Sequence, residues 1–149
     1  MIMSLTIPER LAANCRRTPD GAAWLGRLPD ALREVVERWS LDVGQPYDGG
    51  EVTASWVAPV GLPDGRPAVL KLGMPHLEAE DEVHGLRFWD GSPTVCLLEA
   101  DEALNAMLLE RCTPGTALRS LPEFKQDVVI ASLLRRMWRV PDGGHAFRP

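Results

Sequence analysis

The chain has 149 residues, 45% of them apolar and 25% charged, the make-up of a globular protein with material for one core. A net charge of −5 leaves no basic patch to support a nucleic-acid partner, and no apolar run approaches the roughly 18 residues of a membrane span. The opening Met1 to Thr6 is short and runs into Pro8 and Glu9, unlike a signal peptide, and three widely spaced cysteines form neither a ligand pattern nor a disulfide framework, so a cytoplasmic location is expected.

The first forty residues read as helices. Ile7, Leu11 and Ala12 share a face, with Pro8 and Glu9 suited to a first turn. Thr18-Pro19-Asp20 starts a second helix through Trp24 and Leu25, and Pro29 opens a third. In the third, Leu32, Val35, Val36 and Trp39 fall at helical spacing, and Arg33, Glu34, Glu37 and Arg38 make a charged outer face. Strands follow. Leu41 to Tyr47 is the first, Asp48-Gly49-Gly50 a turn, and Glu51 to Val60 a second strand rich in β-branched residues and Trp. Leu62-Pro63-Asp64-Gly65 turns into a third, Pro67 to Leu72, which Gly73 and Pro75 end.

A helix from about Pro75 to Asp90 presents Leu77, Val83, Leu86 and Trp89 inward. Val95 to Glu99 and Ala106 to Leu109 read as a second hairpin, turned at Asp101 to Asn105. Arg111 to Gly115 is a linker. The last helix runs from Pro122 to about Val140, with Val129 or Ile130, Leu133, Leu134, Met137 and Trp138 on its apolar side. This order predicts an α+β domain: a five-stranded antiparallel sheet with one packed helix, between N-terminal helices and a C-terminal helix. Cys15, Cys96 and Cys112 are expected as small buried apolar residues.

Lys71 stands out. Only Lys71 and Lys125 are lysines among sixteen basic residues, and Lys71 sits in the apolar run Pro67-Ala68-Val69-Leu70-Lys71-Leu72. A lysine buried in a strand is costly unless an anion meets it. The acidic stretch Glu78, Glu80, Asp81, Glu82 supplies candidates. Glu82 is favoured, because Leu86 and Trp89 follow it at i+4 and i+7 and would aim its face at the sheet; Glu78, one turn earlier, is second. Solvated negative charge near a helix N-terminus would otherwise explain the cluster.

Gly49 and Gly50 lie where backbone amides could approach a phosphate, although Gly-Gly between strands also makes a plain hairpin turn. No Walker A lysine motif is present. Glu110, Arg111 and Cys112 end the fifth strand; the order of elements resembles a kinase small lobe, in which hinge backbone groups at this place would meet an adenine edge. Met107, Leu108 and Leu109 would line that pocket, with at least one of them turned to the core by strand alternation.

The chain resembles the N-terminal part of the aminoglycoside/hydroxyurea antibiotic kinase family. The resemblance rests on Trp24 to Pro29, Val57 to Val60, Ala68 to Gly73, Glu82 to Trp89, Met107 to Cys112 and Leu133 to Pro141. It implies a kinase-like small lobe at 41–111 after a helical segment at 1–40, with a hinge and first large-lobe helix at 112–149. It also implies an ATP-dependent phosphotransferase acting on an alcohol group of an antibiotic, with Lys71 on the phosphates, Glu82 as its partner, the Gly49-Gly50 turn beside them and Glu110 to Cys112 as the nucleotide hinge. Such kinases place a His-x-Asp-x-x-x-x-Asn loop further on, where the Asp accepts the substrate proton and the Asn holds magnesium.

None of His76, His84 or His145 has Asp two residues later, so no residue is given a catalytic or metal-binding role. His145 is expected as a solvated loop residue. The expectation is a truncated lobe with little activity alone, binding ATP weakly or not at all, with magnesium a partner of the longer kinase only. The other reading is a non-catalytic nucleotide-sensing or interaction module. In both, exposed apolar surface on the lobe and last helix would favour a homodimer or higher oligomer.

Overall fold

Two periodicities, a helical stripe in the first forty residues and strand alternation after them, decide where the core forms. The computed structural model describes residues 6–50, 53–145 and 147, without the side chains of residues 77, 78 and 80. Helix α1 (Glu9–Cys15) starts after Pro8, and α2 (Pro19–Trp39) is capped by Thr18, whose hydroxyl accepts from the Gly21 amide at 3.1 Å.

The expected break at Pro29 does not occur: α2 is one helix of 21 residues. Pro29 removes one hydrogen bond, to the Leu25 carbonyl, at a cost of about 3 kcal/mol. Trp24, Leu28, Leu32 and Val35 form one stripe on both sides of it, none more than 6% exposed. Each buried side chain of this kind contributes about 1.5–3 kcal/mol, so continuous burial outweighs the proline.

The sheet comprises β1 (Asp42–Val43), β2 (Ser55–Gly61), β3 (Pro67–Gly73), β4 (Leu97–Asp101) and β5 (Ala106–Glu110). Its order is β1-β2-β3-β5-β4, with every pair antiparallel. The α+β arrangement of helices and a five-stranded antiparallel sheet is therefore present. The first strand is much shorter than 41–47. Pro46 has no N–H to give a ladder, and only single bonds carry the pairing on: Gly44 N to Pro59 O and Tyr47 N to Val57 O, both 2.8 Å. The expected start of β2 falls on residues 51 and 52, outside the described residues. β4 begins at Leu97, because Cys96 is occupied otherwise: its carbonyl accepts from Glu110 N and its amide donates to the Glu110 carboxylate, both at 2.9 Å.

Alternate residues of β2, β3 and β5 take opposite faces. Trp56, Ala58, Val60, Ala68, Leu70, Leu72, Ala106 and Leu108 join Leu11, Cys15, Trp24, Leu28, Leu32 and Val35 in one core. Trp56, 1% exposed, donates its indole N–H to Thr6 O at 3.0 Å. The N-terminal helices thus cover one face of the sheet. The other face carries Val57, Lys71 and Met107, which stand in register on neighbouring strands.

Helix α3 (Leu77–Trp89) buries Ala79 and Val83. It stops at Asp90, a left-handed residue, and at Gly91, whose φ is +74° and whose missing Cβ would lie 2.4 Å from Cys96 Sγ. Helix α4 (Glu123–Met137) ends three residues before Val140. None of its residues is buried: Val129, Leu133 and Met137 are half-buried, while Ile130, Leu134 and Trp138 of the expected apolar side are exposed, Trp138 at 80%. Its C-terminal end is tied to α3, since the Trp89 indole donates to Met137 O at 3.1 Å and Arg136 donates to Ser92 Oγ at 2.9 Å. Of the cysteines, Cys15 is buried as expected, Cys96 is half-buried, and Cys112 is exposed because the chain leaves the sheet before it.

Two predictions follow from this packing. Pro29→Ala restores the missing N–H inside a helix that already runs through, and should raise stability by about 1–3 kcal/mol in urea unfolding; a decrease would show that the ring itself is needed. Asp101 ties α2 to the β4–β5 turn by accepting from Arg38 and, at 3.0 Å, from Leu104 N. Burial pushes its carboxyl up, but the Leu104 amide and the Arg38 guanidinium outweigh that and hold it below its ordinary value. A carboxyl depressed in the folded state stabilises fully above its unfolded pKa of about 3.9 and progressively less as pH falls through the folded value. The stability advantage of the wild type over Asp101→Asn should therefore be constant near neutrality and shrink below about pH 4.

Candidate functional site

β3 is the middle strand, hydrogen-bonded to β2 on one side and β5 on the other. Its odd-numbered residues face away from the helix-covered core, so Lys71 leaves the sheet on the open side between Val57 and Met107. Lys71 Nζ donates to Glu82 Oε1 at 2.5 Å, with the two side chains 23% and 34% exposed. The pair spans eleven residues of sequence and joins β3 to α3.

It lies in a cleft of about 1060 Å³. The first wall is the β1–β2 connection and the start of β2, through Tyr47, Asp48, Gly49, Thr53, Ala54 and Ser55. The floor holds Val57, Lys71 and Gly73. The second wall is α3, through Ala79, Asp81, Glu82, Gly85, Leu86 and Trp89, with Thr94 at the far end. Glu82, Leu86 and Trp89 share one α3 face, as their spacing predicts, and that face turns to the cleft, not into the core. Gly73 is fixed by the second hairpin: its amide donates to Asn105 O at 2.9 Å and its carbonyl accepts from Asn105 Nδ2 at 3.0 Å. A Cβ there would lie 2.7 Å from Asn105 Nδ2.

Gly49, Lys71 and Glu82 are thus brought together. Gly50 is next to them but does not line the cleft; its carbonyl accepts from Arg10 NH1 at 3.1 Å. Glu110, Arg111 and Cys112 are exposed and do not line it either. Glu110 pairs with Ala68, three residues along β3 from Lys71 and therefore about 10 Å away. Both its amide and its carboxylate are committed to Cys96, whose thiol that carboxylate pushes up from its ordinary value. Of the three apolar residues before the strip, Leu108 belongs to the core, whereas Met107 and Leu109 share the face of Lys71. The side chain of Glu78, the alternative partner, lies outside the described residues.

Tyr47, Thr53, Ser55, Trp89 and Thr94 line the cleft without having been expected there. Only for Trp89 did the sequence carry a signal, its i+7 spacing from Glu82. What the arrangement can do is bind an anion: a cationic amine held by a carboxylate, beside a glycine turn, in a cleft large enough for a small molecule. Among the described residues no three His, Cys, Asp or Glu side chains come together to hold a metal ion.

The model of the family described as aminoglycoside/hydroxyurea antibiotic resistance kinase matches residues 38–149. The chain is 40% identical over 138 residues to a streptomycin 6-kinase of Streptomyces glaucescens and 38% identical over 138 residues to one of Streptomyces griseus, in each case over 91% of this chain and 44% of the relative. It is 38% identical over 128 residues to a hydroxyurea phosphotransferase of Kitasatospora aureofaciens, over 83% of this chain and 37% of that protein. The chain therefore spans less than half the length of these relatives. No solved structure matches it.

An ion pair this exposed contributes little to folding. Glu82→Gln should cost less than about 1 kcal/mol in urea unfolding. A cost of several kcal/mol would make the pair a structural tie instead of a binding group.

Proposed function

This chain belongs to the aminoglycoside/hydroxyurea antibiotic resistance kinase family, and from that premise we propose that it forms the nucleotide-binding lobe of an ATP-dependent phosphotransferase whose acceptor is a hydroxyl of an aminoglycoside of the streptomycin type. The observation that carries the reading is the Lys71–Glu82 pair at the floor of the cleft, on a middle strand and on the helix that follows it.

Phosphoryl transfer needs little covalent work from the protein. It needs positive charge on the phosphates and a fixed line of approach for the acceptor. The residues present fit a nucleotide in the first respect. Lys71 neutralises phosphate charge. Glu82 keeps the amine from swinging into solvent and so lowers the ordering cost of binding. The turn at Gly49 offers backbone close enough to meet phosphate oxygens. Bound there, a nucleoside triphosphate would supply the phosphoryl group. Apolar surface for a base is available from Val57, Leu86 and Trp89.

The strip Glu110 to Cys112 would have to be reached from the far end of β5, about 10 Å from Lys71, with Arg111 and Cys112 as the members not committed to Cys96. Magnesium is usually held by one or two carboxylates together with substrate phosphates, and Asp48, Asp81 and Glu82 are the carboxylates that line the cleft. In the absence of a His-x-Asp-x-x-x-x-Asn stretch from the sequence, the acceptor-orienting group would come from outside these 149 residues.

Calorimetric titration of magnesium-ATP into the 149-residue chain tests the reading. Weak binding is expected, and Lys71→Ala should reduce it at least about tenfold, the equivalent of about 1.4 kcal/mol. Affinity unchanged by Lys71→Ala would overturn the phosphate role. Incubated alone with ATP and streptomycin, the chain should release no phosphorylated antibiotic. Rapid turnover would mean that the acceptor-orienting group is within it.

A further inference from the structure

Among the described residues, the β1–β2 wall of the cleft, 44–50 and 53–54, lies outside any helix or strand. Tyr47 N to Val57 O and Met74 N to Ala54 O, both 2.8 Å, hold its two ends. Between those ends stand Gly49 and Gly50, both exposed, whose backbones would otherwise be the freest in the site. The further restraints come from α1. Arg10 NH1 donates to Gly50 O at 3.1 Å and Asn14 Nδ2 donates to Thr53 O at 2.6 Å. Arg10 and Asn14 are four residues apart and so share one helix face, while Leu11, Ala12 and Cys15 of the same helix are buried. The helix is fixed in the core, and Trp56 holds the segment ahead of it through Thr6 O at 3.0 Å.

We propose that Arg10 and Asn14 are positioning residues: α1 braces the glycine turn from the face of the sheet opposite the cleft and thereby sets its amides for a polyphosphate. The geometry is that of the planar trans peptide, in which C=O and N–H point in opposite directions. Thr53 O is drawn toward Asn14. The Ala54 N–H of the same peptide unit is therefore directed away from α1. Since α1 belongs to the core behind the sheet and Thr53 and Ala54 line the cleft in front of it, that direction is the cleft side.

Holding Gly50 O in the same way removes freedom that a glycine turn would have to lose on binding. The brace lies before residue 38, outside the stretch matched by the family model. That the ligand is a polyphosphate rests on the nucleotide reading above; that the turn is braced does not.

Three variants of the 149-residue chain test this. Asn14→Asp keeps the shape and replaces the donor by an acceptor; Arg10→Ala removes the other bond; Arg10→Lys keeps a donor and should rescue. All should unfold at urea concentrations near the wild type's. Hydrogen exchange of the peptide spanning 48–55 should quicken about tenfold in Asn14→Asp and Arg10→Ala, with β3 and β5 unchanged, and return toward wild type in Arg10→Lys. Affinity for magnesium-ATP should fall about tenfold in the first two, while affinity for adenosine stays the same.

Unchanged exchange at 48–55 overturns the brace. Quickened exchange with undiminished ATP affinity overturns its positioning role. Equal losses for ATP and adenosine would mark a general structural effect and overturn it as well. A wild type that binds no nucleotide sinks the nucleotide reading and, with it, the polyphosphate as ligand, while the exchange data still decide whether α1 holds the turn.

Discussion

A lysine in the middle strand of a sheet is tolerable only if the strand's two faces differ, and that difference organises the molecule. Leu70 and Leu72 are fully buried against α1 and α2, while Lys71 between them reaches the open side and meets Glu82. Had helices covered both faces, the amine would have been desolvated with one carboxylate for company, a pairing whose desolvation cost rivals its attraction. With one face open, the pair keeps part of its hydration. It is held in place yet stays available to a second anion. The N-terminal helices are therefore more than an appendage to the sheet: by taking one face for the core they leave the other free for charge.

Most of this could be read from residue order. The i, i+4, i+7 relation of Glu82, Leu86 and Trp89 aimed the carboxylate at the sheet, and strand alternation required at least one of Met107, Leu108 and Leu109 to pack in the core, which is Leu108. Where expectation failed, long-range packing had overruled a local rule. Pro29 reads as a helix start, and only the stripe Trp24, Leu28, Leu32, Val35, buried against a sheet that begins later in the chain, explains why the helix runs through. The shortness of β1 follows from Pro46 and an approach to Pro59 that nothing local announces. The tie of the Glu110 amide and carboxylate to the Cys96 backbone, fourteen residues away, had no local signal either. The apolar side read onto α4, by contrast, is largely exposed, as expected of a last helix without a packing partner, with Trp138 80% exposed.

The contacts of α1 were invisible for a related reason. Arg10 and Asn14 are polar residues on a short amphipathic helix, and any such residue reads as solvated. Their partners are backbone carbonyls of a turn about forty residues on, and carbonyls have no sequence identity. A side chain that recognises main chain leaves no trace of what it recognises. Lys71 and Glu82 were legible because both partners are side chains of unusual type for their place.

The cleft is consequently built from two directions that the sheet keeps apart. From the front, α3 supplies a carboxylate and an apolar ridge. From behind, α1 reaches past the sheet edge to the turn that forms the opposite wall. The sheet between them is stiff: β3 is paired along its length on both sides, and Gly73 is bonded to Asn105 through both amide and carbonyl. The Lys71–Glu82 pair ties α3 to the sheet, and the last residue of α3 is in turn tied to Met137 of α4. The contacts of Arg10 and Asn14 tie α1 to Gly50 and Thr53 on the opposite wall. Two walls anchored by different helices on one paired sheet let charge placement and backbone placement come from different parts of the chain, and that separation follows from packing α1 and α2 on one face and leaving the other open as a cleft with α3 on its far side.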